Sequence, residues 1–191
     1  MKQLRSRGPT RTIGYAIAGL HVFEPCINSD PRGSFVEVWN RQKYRKLGLR
    51  ADFVQDNISL SHRNVLRGLH FQNPKPQGKL IQVLQGEVLD VAVDLRRSST
   101  TFGKWAGLVL SSRDRHQFYI PPGFAHGFVA LSRTVLFHYK CTAFYSAEDQ
   151  LTIRWDDPEI NIPWPVKHPL LSDKDAEAPL LRDIPQERLF T

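Results

Sequence analysis

Cysteine is scarce in this 191-residue chain: Cys26 and Cys141 are the two it has. Two thiols can form one bridge at most, and their spacing fits no zinc or redox motif, which excludes a disulfide scaffold or a zinc finger. No apolar run approaches the ~18 residues of a membrane span. Near the N-terminus no apolar core of roughly 7–15 residues precedes a cleavage site, so no secretory signal is read. Both thiols are then expected to be reduced, in a cytoplasmic protein. Repeats with a period of ~20–50 residues are also missing, which argues against solenoids and propellers.

Acidic residues are missing from the first twenty positions, where Lys2, Arg5, Arg7 and Arg11 stand without a counter-charge. The whole chain carries 26 Lys plus Arg against 19 Asp plus Glu, a formal charge of +7. More than half of that excess therefore sits in residues 1–18, read as a basic extension. Gly8 and Pro9 interrupt any presequence-like helix there. The extension also lacks the sustained basic run of a nucleic-acid-binding arm. Neither a nucleic acid nor a membrane is expected as a partner.

What is present is an ordinary globular composition, 41% hydrophobic and 24% charged. A chain of this length buries roughly 70% of its unfolded surface, enough for one core without metal or disulfide. Short β-type runs broken by Gly, Pro, Asn, Asp and Ser dominate. Strands are expected at 19–25, 34–40, 52–61, 64–71, 79–84, 87–95, 104–110, 117–120, 127–130, 134–141 and 152–153. Val88, Asp90, Ala92 and Asp94 alternate with Leu89, Val91, Val93 and Leu95, the pattern of a half-buried strand. One short helix is expected at 41–48. Prolines at 158, 163, 165, 169, 179 and 185 exclude long helices or central strands beyond Asp156. The expectation is an all-β jelly-roll sandwich or barrel over 19–185. Its C-terminal part, from about 156, wraps the body with loops and short helical turns; residues 186–191 form a tail.

Several side chains have chemical potential. His70 lies in Leu66-Arg67-Gly68-Leu69-His70-Phe71-Gln72, with Gly68 on its own face of the strand and open space expected beside it. His126 follows Pro121-Pro122-Gly123, a rigid turn that delivers one imidazole. His138 and Tyr139 are neighbours on opposite strand faces, so one of them at most points into a cavity. Asp30-Pro31-Arg32-Gly33 reads as a turn, with Glu37 shortly after. Gln55, Asp56 and Asn57 interrupt an apolar run with polar side chains. Lys79 opens a strand, and Leu171 to Asp175 forms an acidic turn.

Together and in this order, these residues resemble the dTDP-4-dehydrorhamnose 3,5-epimerase family, a branch of the cupins. The resemblance runs from about Leu20 to Leu181. It also rests on Gly86 to Arg96, Ile120 to Phe128, Tyr139-Lys140 and Trp155-Asp156-Asp157-Pro158. It implies a cupin-type jelly roll and a homodimer. It also implies a cofactor-free and metal-free isomerase acting on a dTDP-linked 4-keto-6-deoxyhexose, which yields dTDP-4-dehydro-L-rhamnose. A 4-keto group acidifies both neighbouring C–H bonds, so epimerisation needs a base, an opposed acid and a cation at the enolate oxygen.

By the resemblance His70 is the base, Tyr139 the acid, Lys79 the cation and Asp175 the carboxylate paired with His70, a role open also to Asp173. Arg32, Glu37, Gln55, Asp56, Asn57, Arg67, His126, Tyr145, Gln150 and Lys174 match substrate-binding positions. Tyr145 is the stacking aromatic, and the segment of Arg32 and Glu37 reaches the neighbouring subunit's site. Gln150 stands where the family commonly has Glu, which removes a charge. A relative that inverts carbon 3 or carbon 5 alone would carry the same set. A metal-binding cupin would need a second imidazole near His70, where Gln72 stands instead.

Overall fold

The computed structural model describes residues 5–6, 10–14 and 17–191. In chain order the first strands are β1 (Arg5–Ser6), β2 (Arg11–Gly14), β3 (His21–Glu24), β4 (Ile27–Asp30) and β5 (Gly33–Val36). Helix α1 (Arg41–Lys46) follows, then β6 (Gln55–His62), β7 (Leu66–Gln72), β8 (Lys79–Gln85) and β9 (Glu87–Asp94). The last strands are β10 (Trp105–Ser111), β11 (Gln117–Ile120), β12 (Phe124–Ala130), β13 (Thr134–Cys141) and β14 (Gln150–Thr152). The chain closes with α2 (Asp173–Ala176) and two 3₁₀ turns, Leu181–Asp183 and Gln186–Arg188.

One sheet has the order β2-β3-β11-β8-β13-β6 and a second the order β10-β9-β12-β7-β14; β1, β4 and β5 form a third, small one. The two large sheets share a core in which Ile81, Phe118 and Phe137 of the first meet Val88, Ala92 and Phe128 of the second. This is the sandwich that the period-2 runs predict, and each fully buried Leu, Ile or Phe contributes roughly 1.5–3 kcal/mol to it. Helix α1 starts where the Asn40 side chain accepts bonds from the amides of Gln42 and Lys43 at 3.1 and 3.2 Å. Lys43, Arg45 and Lys46 suit its C-terminal dipole. Its one buried residue, Tyr44, packs with Phe23 and Leu80 on the outer face of the six-stranded sheet.

Four expectations change. Strand β9 is not half-buried but buried on both faces. Val88 and Ala92 face the sandwich interior, while Val91, Val93 and Leu95 meet Ile160, Ile162, Leu181 and Ile184 of the C-terminal wrap. No open space lies beside Gly68: a Cβ there would stand 2.5 Å from the Cα of Gly127, so the glycine permits close strand approach instead. The basic extension is not all tail, since Arg11–Gly14 pairs with β3 and Arg5–Ser6 with β4. Its residues 1–4, 7–9 and 15–16 lie outside the described residues. The stretch 186–191 is docked: Leu189 is buried, and Phe190 bridges to Arg96. Strand β4, unforeseen, pairs with β5 around the Pro31-Arg32 turn.

Candidate active site

Alternation along four strands aims a polar set at one end of the sandwich interior. On β13, Val135 and Phe137 enter the core and Tyr139 packs against it, so His138 and Lys140 point the other way. On β8, Ile81 and Val83 are core residues and Lys79 shares their face. Gln55 and Asn57 of β6 and His70 and Gln72 of β7 complete the ring. These side chains, with Cys141, Tyr145 and Gln150, line a cavity of about 270 Å³.

His70 is anchored from outside the sheet. Its Nε2 lies 2.5 Å from Oδ1 of Asp175, a residue 105 positions away. Ser172 caps α2 and accepts a bond from the Asp175 amide at 3.3 Å, which presents the carboxylate. Asp175 is buried and Asp173 exposed, so Asp175 is the partner of His70. Burial pushes the Asp175 pKa up, but the hydrogen bond and charge of His70, with bonds from Ser172 and Gly68, outweigh it and hold the pKa below the usual range. A proton on Nε2, donated to Asp175, leaves the lone pair of His70 on Nδ1.

Lys79 stands across the cavity, its Nζ 6.0 Å from the centre of the Tyr139 ring. Burial draws its pKa down from the ordinary lysine value, against the pull of Cys141 and Asp90. Burial raises the Tyr139 pKa; Cys141 adds to this and the Arg67 charge opposes it. Deeper in, His126 holds Asp90 through Nε2 at 3.0 and 3.1 Å and stacks near Phe137. Burial lowers the His126 pKa and raises that of Asp90, and in each case the charge and hydrogen bond of the partner oppose it.

The remaining expected residues lie elsewhere. Asp56 turns outward on β6, between Gln55 and Asn57, and binds Lys140 at 2.6 Å and His138 at 3.0 Å. Lys174 is exposed on α2. Arg67 holds the Ser61 hydroxyl at 3.1 Å and reaches the cavity through its field on Tyr139. Arg32 is 88% exposed and paired with Asp30 at 2.6 Å, while Glu37 pairs with Lys43 at 2.7 Å; neither lines the cavity of its own chain. Sequence reasoning missed Cys141, Gln72, Gln77 and Asp90 as site residues. Cys141 was within reach, since it lies two residues past Tyr139 on one strand face. Among the described residues, no group of three His, Cys, Asp or Glu side chains is placed to hold a metal ion.

A hydrogen-bonded imidazole, a phenol and a desolvated ammonium around one cavity can abstract a proton beside a carbonyl, hold the enolate and return a proton. Comparison with known proteins agrees. The sequence profile described as dTDP-4-dehydrorhamnose 3,5-epimerase matches residues 14–183. A curated protein of that name from Methanothermobacter thermautotrophicus is 49% identical over 178 residues, 92% of this chain and 96% of its own length. A crystal structure of dTDP-6-deoxy-D-glucose-3,5-epimerase from Legionella pneumophila, in complex with dTDP-4-keto-L-rhamnose, superposes with a TM-score of 0.92 at 48% identity. That match covers 95% of this chain and 97% of the other. The dTDP-4-dehydrorhamnose 3,5-epimerase from Bacillus anthracis, with TDP and PPi bound, follows with a TM-score of 0.88 at 45% identity, covering 90% and 99%.

Proposed function

This chain belongs to the dTDP-4-dehydrorhamnose 3,5-epimerase family, and from that premise we propose how its own residues perform the reaction. It is a nucleotide-sugar epimerase that converts dTDP-4-dehydro-6-deoxy-D-glucose to dTDP-4-dehydro-L-rhamnose. His70 removes the proton from a carbon next to the 4-keto group through Nδ1. Asp175 stabilises the imidazolium that results. The Lys79 ammonium faces the enolate oxygen, where a low-dielectric setting strengthens the attraction. Tyr139, its proton held firmly by burial, protonates the opposite face. Carbons 3 and 5 both flank the ketone, so one base and one acid serve each in turn.

The observation that carries this reading is the 2.5 Å His70–Asp175 pair opening onto the cavity shared with Lys79 and Tyr139. Gln55, Asn57, Tyr145 and Gln150 at the mouth suit the sugar and nucleotide. Arg32, with Glu37 just past its hairpin, is assigned to a second subunit's site in a homodimer, supported by the exposure of Arg32 and of Phe35, 69% accessible beside it. A cytoplasmic setting suits a chain whose two cysteines, Cys26 and Cys141, form no disulfide.

The test is turnover of dTDP-4-keto-6-deoxyglucose in deuterated water. Deuterium at both carbons is expected, and His70→Ala should abolish it. Label at one carbon would replace the double epimerase by a monofunctional one, and label at neither would refute both.

A further inference from the structure

Beyond residue 183, where the family match ends, the chain docks beside Arg96, past the end of β9, and beside Asn73, past the end of β7. Leu189 is buried with Leu95 and Ile184 in the outer core. The amide of Arg97 donates to the Phe190 carbonyl at 2.8 Å, and the Phe190 amide reaches the Leu95 carbonyl at 3.3 Å. Asn73 donates to the carbonyls of Arg188 and Leu189 at 3.0 and 3.2 Å, and the Arg188 guanidinium returns a bond to the Asn73 carbonyl at 3.2 Å. The Phe190 ring meets Phe71 edge-on at 5.9 Å.

This ring stands between two spaces. On its inner side is a void of about 10 Å³, lined by Lys79, His126, Phe71 and Gln72, three of which also line the main cavity or its rim. Room of that size holds one water molecule at most. On its outer side is an open groove of about 430 Å³ that includes Arg96, Glu187 and Gly123. Phe190 and Gly123 border both spaces. Without the ring, the Lys79 end of the chamber would open to bulk water at the rear.

We propose that Phe190 is the rear wall of the catalytic chamber, a positioning residue that acts on the reaction by keeping water from Lys79. The inference rests on the assignment of Lys79 to the enolate oxygen. Water at that end would screen the ammonium and weaken its hold on the developing charge. Binding of the nucleotide at the front mouth would be little affected. Lys79 is faced by Asp90 from β9, His126 from β12, His70 from β7 and Tyr139 and Cys141 from β13. On the plug itself, Arg188 is engaged by Asn73 and Glu187 borders the outer groove.

The test compares full-length wild type with Phe190→Ala and Phe190→Leu on dTDP-4-keto-6-deoxyglucose. Phe190→Ala should lower kcat about tenfold, the equivalent of one lost interaction in the transition state, with KM within about twofold. Burial holds the Lys79 pKa low, so the ammonium is lost and activity falls as pH rises through it. Hydration should move that alkaline limb to higher pH in Phe190→Ala, and Phe190→Leu should restore rate and limb. A wild-type rate in Phe190→Ala, or a lost rate with an unmoved limb, would overturn the proposal. If Phe190→Ala does not fold, Phe190→Val carries the same comparison, and an unmoved limb there is equally fatal. An inactive wild type would instead overturn the epimerase reading.

Discussion

His70 on β7 and His126 on β12 are cross-strand partners, and the ladder shifts register between His126 and Phe128. The shift sits where Gly68 approaches Gly127, at a φ of +137° that side-chain-bearing residues rarely adopt. Two imidazoles of different duty are thereby set side by side: His70 faces Asp175 and the cavity, and His126 faces Asp90 within the core.

Gly68→Ala tests this close approach. The new methyl would meet the Gly127 backbone and the His126 carbonyl at 2.9 Å, neither of which can swing away. Overpacking with backbone strain should cost about 3 kcal/mol. Thermal unfolding should show a clear fall in Tm, and an unchanged Tm would sink the account.

Lys79→Met isolates the enolate contact. It keeps the stem and removes the charge, so kcat should fall about 10²–10³-fold, as for loss of an oxyanion donor. KM should change little. Steady-state kinetics showing the reverse split would assign Lys79 to ground-state binding instead.

Asp94 predicts a pH-dependent stability term. It is fully buried, yet bonds from Arg96 at 2.7 and 2.8 Å and from Ser99 and Thr101 at 2.7 Å outweigh burial and hold its pKa at about 2. A depressed carboxylate stabilises the fold above its ordinary value of 3.8, and that stabilisation is lost as pH falls toward 2. Asp94→Asn should therefore cost about 2 kcal/mol at pH 7 and progressively less toward pH 3, because the unfolded chain's carboxylate takes up a proton there while the native one stays charged. Urea unfolding at the two pH values measures this, and an equal cost at both would refute it.

Mixing inactive variants tests the proposal that Arg32 completes the site of a second subunit. Arg32→Ala and His70→Ala homodimers should each be impaired. In a mixed dimer one site regains both residues, so about a quarter of wild-type activity should return after subunit exchange. No recovery, with exchange verified, would keep Arg32 out of the neighbouring site.

Much of the site was legible in the sequence through the family resemblance, and strand alternation, which is local, accounts for the faces its residues take. The period that sends Phe137 inward sends Tyr139 with it and turns His138 out. Read with the same strictness, it also turns Asp56 out between Gln55 and Asn57, and carries Cys141 in. The both-faced burial of β9 was not legible, because its cover comes from Ile160 to Ile184, a segment without strand or helix periodicity.

By itself the sequence determined the all-β architecture, the short helix, most strand positions and the alternation of faces along each strand, since φ/ψ preference and period-2 patterning act between near neighbours. Only the tertiary structure decided that Asp175 and not Asp173 meets His70, that Asp90 lies beneath His126, and that Phe190 closes the chamber. Those pairings span from 36 to over a hundred residues, and depend on register, glycine-permitted approach and the docking of a wrap that no local rule encodes.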